Sequence, residues 1–350
     1  MLKNIKNILI DLRYTKYFLD QPDYRGAILY DVAKAFCDKG KNIYFHVLDR
    51  AEKHLIQKRN TIPFIRFTDL SQMDEIDFYI GFAGAQHRKK RKHMRKNNKP
   101  MLVYESGPLP RSVLLDKHWI FGDGYTAKHF DTILKNQRIG GTQEYCDYLI
   151  ENDLSKRTQK GDDQIPDSDF IFIPGQALRD ASLKKKYTRT GLLNFISYVT
   201  EFAYNNNIDI VFKPHPGLKG GKRHGRQKQL DHCLELKKRY GNLHIVRNSI
   251  FKILDKCLFM ATVNCGSVID AFVTHTPAYC CGKSFYMNTG ALIYDNDLDG
   301  GLDIMLHKKY DHHLVQSKQL ETIEWLKNNL LFFDIDPYQN VKRIQHILNI

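Results

Sequence analysis

The chain has 350 residues, 42% hydrophobic and 26% charged, with a formal net charge of +14 at pH 7. Its length suits about two domains, and its composition is that of an ordinary globular protein. The sequence shows neither an apolar run of the ~18–20 residues that span a bilayer nor the apolar core of a signal peptide. Seven scattered cysteines without a C-x-x-C pair argue against a disulfide framework or a zinc cluster and for a reducing cytosol.

Short apolar stretches alternate with longer amphipathic stretches along the chain. The first half contains, in order, a strand at Lys6–Leu12, a helix at Arg25–Lys39, strands at Ile43–Val47, Ile76–Phe82 and Met101–Glu105, and a helix at Ala127–Leu134. The second half contains a strand at Phe170–Pro174, a helix at Thr190–Asn205, a strand at Ile208–Phe212, a helix at Arg226–Tyr240, a strand at Leu243–Val246, a helix at Ser249–Cys257, a strand at Leu258–Val263, a helix at Ser267–His275, a strand at Ala278–Cys281, and terminal helices at Glu321–Leu331 and Val341–Leu348. This alternation predicts parallel sheets.

One polar segment, from Arg157 to Asp169, breaks both periodicities and is the best candidate for a linker. We therefore expect an N-terminal α/β domain over residues 1–160 and a second α/β domain over residues 168–320, with a cleft between them. Terminal helices over residues 321–350 are expected to pack back on the body of the protein.

Much of the positive charge is concentrated in residues 87–96, which read His-Arg-Lys-Lys-Arg-Lys-His-Met-Arg-Lys. Such a basic run is typical of a surface that binds nucleic acid, an anionic membrane or an acidic substrate. The alternative is a solvated basic helix that binds no partner. The interleaved aromatic residues of a single-strand binder are missing, and no nucleic-acid-binding signature is visible, so the sequence favours no nucleic-acid partner.

Two segments place carboxylates just after buried strands. Glu105 enters a Gly/Pro turn with Arg111 six residues later, an arrangement that suits either a general base or an ion pair between the two residues. The second segment carries, near the edge of the expected cleft, Gln176, Asp180 and Ser182. Asp180 suits a nucleophile, a base or a helix N-cap, and the local pattern alone favours the cap.

Two further segments suit an anionic ligand such as phosphate. Lys213, Pro214, His215 and Pro216 end a strand on a cation and an imidazole held in a stiff turn, and ligands of open α/β sheets bind beyond the carboxyl ends of strands. Further along, residues 263–271 join a strand to a helix, where free N–H groups with Ser267 as the cap form a phosphate site. The alternative to a phosphate site is a solvated basic loop for the first segment. For the second segment it is the ordinary strand-to-helix junction that every parallel-sheet protein has.

In this order and spacing, the four segments resemble the capsule polysaccharide biosynthesis family, which contains the retaining β-Kdo transferases of bacterial capsule and O-antigen assembly. The residues that carry the resemblance are Glu105, Gly107, Arg111-Ser112, Pro174-Gly-Gln176, Asp180-Ala-Ser182, Lys213 to Pro216, Gly221, Arg223, Ser267, Asp270-Ala271, Gly282 and Phe285-Tyr286. The chain departs from the family pattern at Ser106, where an acid is usual, at Val268, where glycine is common, and at Asp270, where glutamate is common.

The resemblance implies an α/β fold of the GT-B-like class, with two Rossmann-like domains facing across a cleft. The first domain would lie on the acceptor side and the second would bind the nucleotide sugar, with CMP-Kdo as the donor and without a cofactor or catalytic metal. It implies that Asp180 attacks the anomeric carbon to form a covalent adduct, and that Glu105 is the base for the acceptor hydroxyl. The leaving phosphate would be held by Lys213, His215 and Pro216, with further donors from the turn Asn264, Gly266 and Ser267. Arg111 or Arg223 would pair with the carboxylate of the donor sugar, and Gln176 and Ser182 would complete the site.

The expected acceptor is a saccharide or a lipid-linked saccharide of bacterial surface polysaccharide synthesis. The expected location is the cytoplasm, with a peripheral contact between the basic run and the anionic inner face of the membrane. Three alternatives stay open: another CMP- or nucleotide-activated sugar as the donor, a polyol-phosphate transferase, and a non-enzymatic basic protein that binds nucleic acid or a membrane surface.

Overall fold

The computed structural model describes residues 4–12, 24–47, 65–67, 70–83, 88–118, 123–134, 140–157, 161–215 and 225–349. The chain divides into two compact units, a first unit of residues 1–120 and 327–350 and a second unit of residues 121–326. The polar segment at residues 157–169 lies within the second unit.

The first part of the chain contains, in order, β1 (Asn7–Leu12), α1 (Tyr24–Asp38), β2 (Asn42–Val47), β3 (Ile65–Phe67), β4 (Phe78–Phe82), α2 (Arg88–Lys96), β5 (Met101–Ser106), β6 (Ser112–Asp116), α3 (Tyr125–Leu134) and α4 (Thr142–Glu151). The remainder contains β7 (Phe170–Pro174), α5 (Leu192–Asn205), β8 (Asp209–Lys213), α6 (Arg226–Tyr240), β9 (Leu243–Ile245), α7 (Ile250–Leu254), β10 (Phe259–Thr262), α8 (Val268–Val273), β11 (Ala278–Cys280), β12 (Ile293–Tyr294), α9 (Leu298–Leu306), α10 (His312–Asn329), β13 (Leu331–Phe332) and α11 (Pro337–Asn349). Short 3-10 turns occupy Leu70–Glu75 and Ala181–Leu183.

The described strands of the first unit form one sheet in the order β13-β6-β5-β4-β1-β2-β3. The five strands from β5 to β3 are parallel, and β6 and β13 extend one edge in antiparallel fashion. Central strands of a parallel sheet are covered on both faces, so Ile8, Leu9 and Ile10 of β1 are completely buried. Val341 and Ile344 of α11 belong to the same core, which joins the end of the chain to the first unit.

The described strands of the second unit form an entirely parallel sheet in the order β12-β11-β10-β7-β8-β9. Its three central strands are in register, because Phe172 pairs with Met260 on one side and Pro174 pairs with Lys213 on the other. The loops that follow β10, β7 and β8 therefore leave from the same edge of the sheet, the edge at which ligands of such sheets bind.

The prediction of an α/β fold with two parallel-rich sheets is confirmed. Each of the predicted strands is present with ends within two residues of the expected ones. The predicted helix Glu321–Leu331 has wrong limits, since α10 runs from His312 to Asn329 and Leu331 begins β13. The reason is that Leu331 pairs with Val113 in an antiparallel contact between distant parts of the chain, which local periodicity does not report.

Helix α2 carries most of the basic run, but the interpretation as a solvated helix is wrong for two of its residues. Lys90 and Arg91 are each 4% exposed, whereas Lys89 and Lys92 are exposed. The guanidinium of Arg91 donates a hydrogen bond of 2.8 Å to the last main-chain carbonyl of β4. His87 lies outside the described residues. The run is therefore divided between a buried face and a solvated face.

Lys90 belongs to a buried polar group at the carboxyl end of the first sheet, which we call the Asp11 cluster: Asp11, His46, Tyr79 and Lys90. The fully buried Asp11 carboxylate accepts hydrogen bonds from the Tyr79 hydroxyl and from Nζ of Lys90, and its Oδ1 lies 2.9 Å from Nδ1 of His46. Nζ of Lys90 lies 2.6 Å from the same Nδ1. Burial lowers the pKa of Lys90, and the Asp11 carboxylate opposes that shift.

We predict that Lys90→Ala lowers the free energy of unfolding by about 3–5 kcal/mol, because it removes a buried cation that donates directly to the buried Asp11 carboxylate. The neighbouring change Lys89→Ala removes the same charge from the exposed face and should stay within about 0.5 kcal/mol of the wild type. Urea unfolding of both variants measures the difference. Equal stabilities of the two variants would mean that the buried pair contributes nothing.

Candidate functional site

The loops after β7 and β8 approach each other so closely that residue 175 has room only for glycine. The N–H of Gly175 donates a hydrogen bond of 2.7 Å to the carbonyl oxygen of Lys213. A Cβ at position 175 would lie 2.7 Å from the main-chain nitrogen of His215, which is closer than real Cβ contacts. The Pro-Gly-Gln sequence is thus explained by packing, and it brings Gln176 beside the Lys-Pro-His turn.

Two buried amide side chains connect the loop after β7 with the loop after β10. Nε2 of Gln176 donates to Oγ of Ser182 at 2.8 Å and to Oδ1 of Asn264 at 3.0 Å. Nδ2 of Asn264 donates to the carbonyl oxygen of Ser182 at 2.8 Å and to that of Lys283 at 3.3 Å. Gln176, Ser182 and Asn264 are therefore brought together as the sequence predicted, but their side chains mainly hold one another.

Asp180 lies at the end of this network and caps the 3-10 turn Ala181–Leu183. Its Oδ1 accepts from the main-chain N–H of Ser182 at 2.8 Å and from the Ser182 hydroxyl at 2.7 Å. The N-cap favoured by the local pattern is confirmed. Oδ1 is therefore fixed by two hydrogen bonds, and no described residue donates to Oδ2.

Gln176 also presents a buried acceptor to the site. The residue is 5% exposed, and its Oε1 has no hydrogen-bond partner among the described residues. A buried polar atom without a partner destabilises a protein by about 1–3 kcal/mol, so such atoms are uncommon unless a ligand or water supplies the missing donor. Sequence reasoning placed Gln176 in the site but gave no signal for this unsatisfied oxygen.

The ammonium of Lys213 is buried and is directed to the main chain of the loop after β9. Nζ donates to the carbonyl oxygen of Asn248 and, at 3.2 Å, to that of Arg247. Burial lowers the pKa of Lys213 to about 8, while the carboxylates of Asp153 and Asp163 are among the groups that oppose this shift. Lys213 therefore joins the ends of two strands in addition to any role toward a ligand.

A buried carboxyl group lies behind the site, on helix α8. Asp270 is 8% exposed, and burial raises its pKa from 3.8 to about 7, although the positive charges of Lys156 and Lys213 act in the opposite direction. The sequence signal for this residue was its place in the family pattern, where glutamate is common. Local reasoning gave no sign that its carboxyl group is buried.

The predicted phosphate site at the start of α8 requires correction in two respects. Ser267 has helical main-chain angles, φ −65° and ψ −9°, and its hydroxyl makes no capping hydrogen bond. The next N–H groups are not free, because those of Val268, Ile269 and Asp270 donate to carbonyl oxygens three residues earlier. At Gly266, by contrast, a Cβ would meet nothing within 4 Å, so this turn leaves open space beside the glycine.

Two later residues of the family pattern support that turn rather than the ligand. The hydroxyl of buried Tyr286 donates to the carbonyl oxygen of Cys265 at 2.6 Å. A Cβ at Gly282 would lie 2.9 Å from the carbonyl oxygen of Val263 and 3.1 Å from Nδ2 of Asn264. The glycine is therefore required for close packing against the end of β10.

In the first unit, Glu105 and Arg111 do not pair with each other. Glu105, 29% exposed, lies 3.6 Å from the guanidinium of Arg25. Arg111 lies 3.1 Å from the carboxylate of Asp334 and covers the ring of Phe333, 4.1 Å from its centroid. The ion pair that the sequence offered as an alternative is therefore absent between these two described residues.

The turn between Glu105 and Arg111 is tight, and a main-chain hydrogen bond closes it. The N–H of Gly107 donates to the carbonyl oxygen of Ser112 at 2.7 Å, and a Cβ at Gly107 would lie 2.0 Å from Oγ of Ser112. Arg111 adopts a positive φ of 47° at the end of this turn. The Gly…Arg-Ser part of the family pattern therefore encodes the reversal from β5 to β6.

Pro216, Gly221 and Arg223 lie outside the described residues. Among the residues that the structure does describe, no group of three or more His, Cys, Asp or Glu side chains is arranged to hold a metal ion. Within the same residues, no helix is both long and apolar enough to cross a membrane.

Comparison with known proteins relates the second unit to capsule synthesis. A family model described as "Capsule polysaccharide biosynthesis protein" matches residues 142–322, more than half of the chain. The capsule polysaccharide modification proteins LipA of Neisseria meningitidis serogroups B and A are each 25% identical over 193 residues. These alignments cover 52% of this chain and 26% of each LipA protein, so the chain spans about a quarter of the length of the curated relatives it matches.

Among solved structures, the fold is similar to that of KpsC from Thermosulfurimonas dismutans, a β-Kdo 2,4 transferase. The TM-score is 0.52 at 13% identity, over 73% of this chain and 82% of that chain. At this identity the similarity concerns the fold, and together with the two α/β units it confirms the predicted GT-B-like fold class.

The buried carboxyl group of Asp270 generates a prediction about stability and pH. Because its folded pKa is raised to about 7, its contribution to stability is complete below about pH 4 and is lost as the pH rises through about 7. Between pH 4.5 and 7.5, the unfolding free energy of the wild type should therefore fall by about 3 kcal/mol more than that of Asp270→Asn.

Urea unfolding at several pH values in this window measures the difference. The matched control is Asp255→Asn, which removes an exposed carboxylate from the same unit and should keep the pH dependence of the wild type. Identical pH dependences in the wild type and Asp270→Asn would contradict the raised pKa.

Proposed function

Because the chain belongs to the capsule polysaccharide biosynthesis family, we propose that it is a glycosyltransferase that moves a sugar from a CMP-activated donor to a saccharide acceptor. The donor in this proposal is CMP-Kdo, and the reaction retains the anomeric configuration. The observation that carries the proposal is the state of the Asp180 carboxylate, with one fixed oxygen and one oxygen without a described partner.

The Asp180 carboxylate has the properties that a covalent nucleophile needs. Two hydrogen bonds from Ser182 immobilise Oδ1, and the buried amides of Gln176 and Asn264 immobilise Ser182 in turn. A nucleophile held in this way enters the reaction with little further loss of conformational freedom. In the proposed first step, Oδ2 forms a bond to the anomeric carbon while the bond from that carbon to the CMP phosphate breaks.

The leaving phosphate is assigned to the turn after β8. His215 follows that strand by two residues, and the contact between Gly175 and its main-chain nitrogen keeps it beside the loop that carries Asp180. An imidazole or imidazolium in this turn can donate a hydrogen bond to the departing phosphate. Lys213 contributes its positive charge from a buried position, and its hydrogen bonds to carbonyl oxygens keep the turn in place.

The second step returns Asp180 to its free form. The acceptor hydroxyl attacks the anomeric carbon of the adduct, its proton passes to a base, and the bond to the Asp180 oxygen breaks. Two successive inversions give overall retention. We assign the base to Glu105, whose carboxylate is partly exposed and lies 3.6 Å from the Arg25 guanidinium.

The proposal includes a peripheral contact with anionic lipid, because a lipid-linked acceptor would be presented at a membrane surface. Among the described side chains of α2, the exposed cations available for this contact are Lys89, Lys92, Arg95 and Lys96. Near an anionic surface each is worth about 1 kcal/mol. Lys90 and Arg91 are buried and do not contribute.

We predict that incubation with CMP-Kdo produces a covalent Kdo adduct on Asp180, detectable by intact-protein and peptide mass spectrometry. Glu105→Gln should accumulate the adduct, because the step that removes it lacks its base. Asp180→Asn should give neither adduct nor turnover, and its fold should survive, because asparagine is an equally good cap. The control Asp167→Asn removes an exposed carboxylate of the same unit and should behave as the wild type. Turnover by Asp180→Asn at a near-normal rate would exclude the covalent role.

We predict that His215→Ala slows release of CMP from the donor by about 10²-fold or more, as loss of a positioned charge-stabilising donor does. His244→Ala is the control, because His244 is a partly exposed histidine of the same unit that pairs with Asp209 at 3.6 Å. Stopped-flow or quenched measurement of CMP release gives the rate, and calorimetry gives the affinity for CMP. If His215→Ala changes neither the rate of CMP release nor the affinity for CMP, the turn has only a structural role.

A further inference from the structure

The Asp11 cluster holds a histidine, His46, beside the buried ion pair of Asp11 and Lys90. His46 is the penultimate residue of β2 and lies opposite Asp11 in β1, so its ring emerges at the carboxyl end of the first sheet. Its side chain is 19% exposed, whereas that of Asp11 is completely buried. One face of the cluster therefore reaches solvent, and it does so through the imidazole.

The contacts to Nδ1 of His46 favour one of the two ring tautomers. Nδ1 lies 2.6 Å from Nζ of Lys90 and 2.9 Å from Oδ1 of Asp11, and Nζ also contacts that same Oδ1. A charged lysine has only donors and an ionised aspartate has only acceptors. An ammonium that bridges Oδ1 and an unprotonated Nδ1 satisfies all three atoms. A proton on Nδ1 would suit Oδ1 at 2.9 Å but would oppose the ammonium donor at the shorter contact of 2.6 Å, so the shorter contact favours an unprotonated Nδ1.

The neutral ring then carries its proton on Nε2. No described residue makes a hydrogen bond with Nε2, so its N–H is available to a ligand. Ligands of parallel sheets bind at the carboxyl ends of strands, where this N–H lies. An uncharged imidazole N–H is a donor that suits a hydroxyl or carboxylate oxygen.

We propose that His46 binds an oxygen atom of the acceptor saccharide through Nε2–H, and that Asp11 and Lys90 are positioning residues that fix this tautomer. The assignment of the ligand as the acceptor rests on the proposed glycosyltransferase function. The donor is assigned to residues of the second unit, which leaves the carboxyl edge of the first sheet for the other substrate.

The tautomer is tested without any substrate by nitrogen-15 NMR of histidine-labelled protein. The His46 resonances are assigned by their loss in His46→Gln. We expect an unprotonated Nδ1 and a protonated Nε2 at pH 7.5. A protonated Nδ1 that donates to Asp11 would overturn the proposed arrangement.

Ligand binding is tested by saturation-transfer NMR with a panel of methyl glycosides, acidic (Kdo and glucuronic acid) and neutral (galactose and N-acetylglucosamine). For a glycoside that binds the wild type, His46→Phe should weaken binding about five- to tenfold, because it keeps the ring shape and removes one hydrogen bond. His46→Gln retains an N–H at a similar distance and should stay within about threefold of the wild type. The control His93→Phe alters a histidine of α2 that pairs with Asp74 at 3.2 Å and should change nothing.

Affinity for CMP should be the same in the wild type and in each of these variants, because the donor is assigned to the second unit. If the chain neither binds CMP nor hydrolyses CMP-Kdo, the proposed function fails, while the tautomer and the glycoside affinities still report on His46. If no glycoside of the panel binds the wild type, or if His46→Phe binds as tightly as the wild type, the proposal for His46 is wrong.

Discussion

The hydrogen bond from Gln176 to Asn264, 3.0 Å long, is the constraint on which the geometry of the second unit's strand ends depends. Both side chains are at most 6% exposed, so neither amide can exchange its partner for water without leaving a buried polar group unpaired. Asn264 holds the carbonyl oxygen of Ser182, and Ser182 holds Asp180. A carboxylate on a short turn thus receives its position from residues anchored at the ends of two parallel strands.

Each unit also contains a buried lysine near its strand ends, and the two are compensated differently. Lys90 faces the full negative charge of Asp11, whereas Lys213 faces carbonyl dipoles, with carboxylates acting on it electrostatically. Dipoles compensate a buried charge less completely than an ion does, which is consistent with the fall of the Lys213 pKa to about 8. An anion bound beside Lys213 would favour its charged form, so its protonation is coupled to occupancy of the site.

Local sequence predicted most of the fold because continuous apolar runs identify the buried strands of a parallel sheet. It did not predict β6 and β13, whose antiparallel pairing joins residues 112–113 to residues 331–332. The Asp11 cluster was missed for the same reason, since its four residues come from four elements and no spacing connects them. Family resemblance named Gln176, Ser182 and Asn264 as site residues, but their mutual hydrogen bonds depend on the register of β7 with β10 and could not be read from the motif.

Asp180 shows why the local and the family interpretations of one residue need not exclude each other. The local pattern favours a cap, and the family resemblance implies a nucleophile. A cap uses one carboxylate oxygen, and here two hydrogen bonds from Ser182 converge on Oδ1 alone. Those bonds draw negative charge toward the fixed oxygen and restrict rotation of the group, so Oδ2 keeps a defined direction. A glutamate could not replace Asp180 in this arrangement, because its longer side chain would not form the cap that aims the second oxygen.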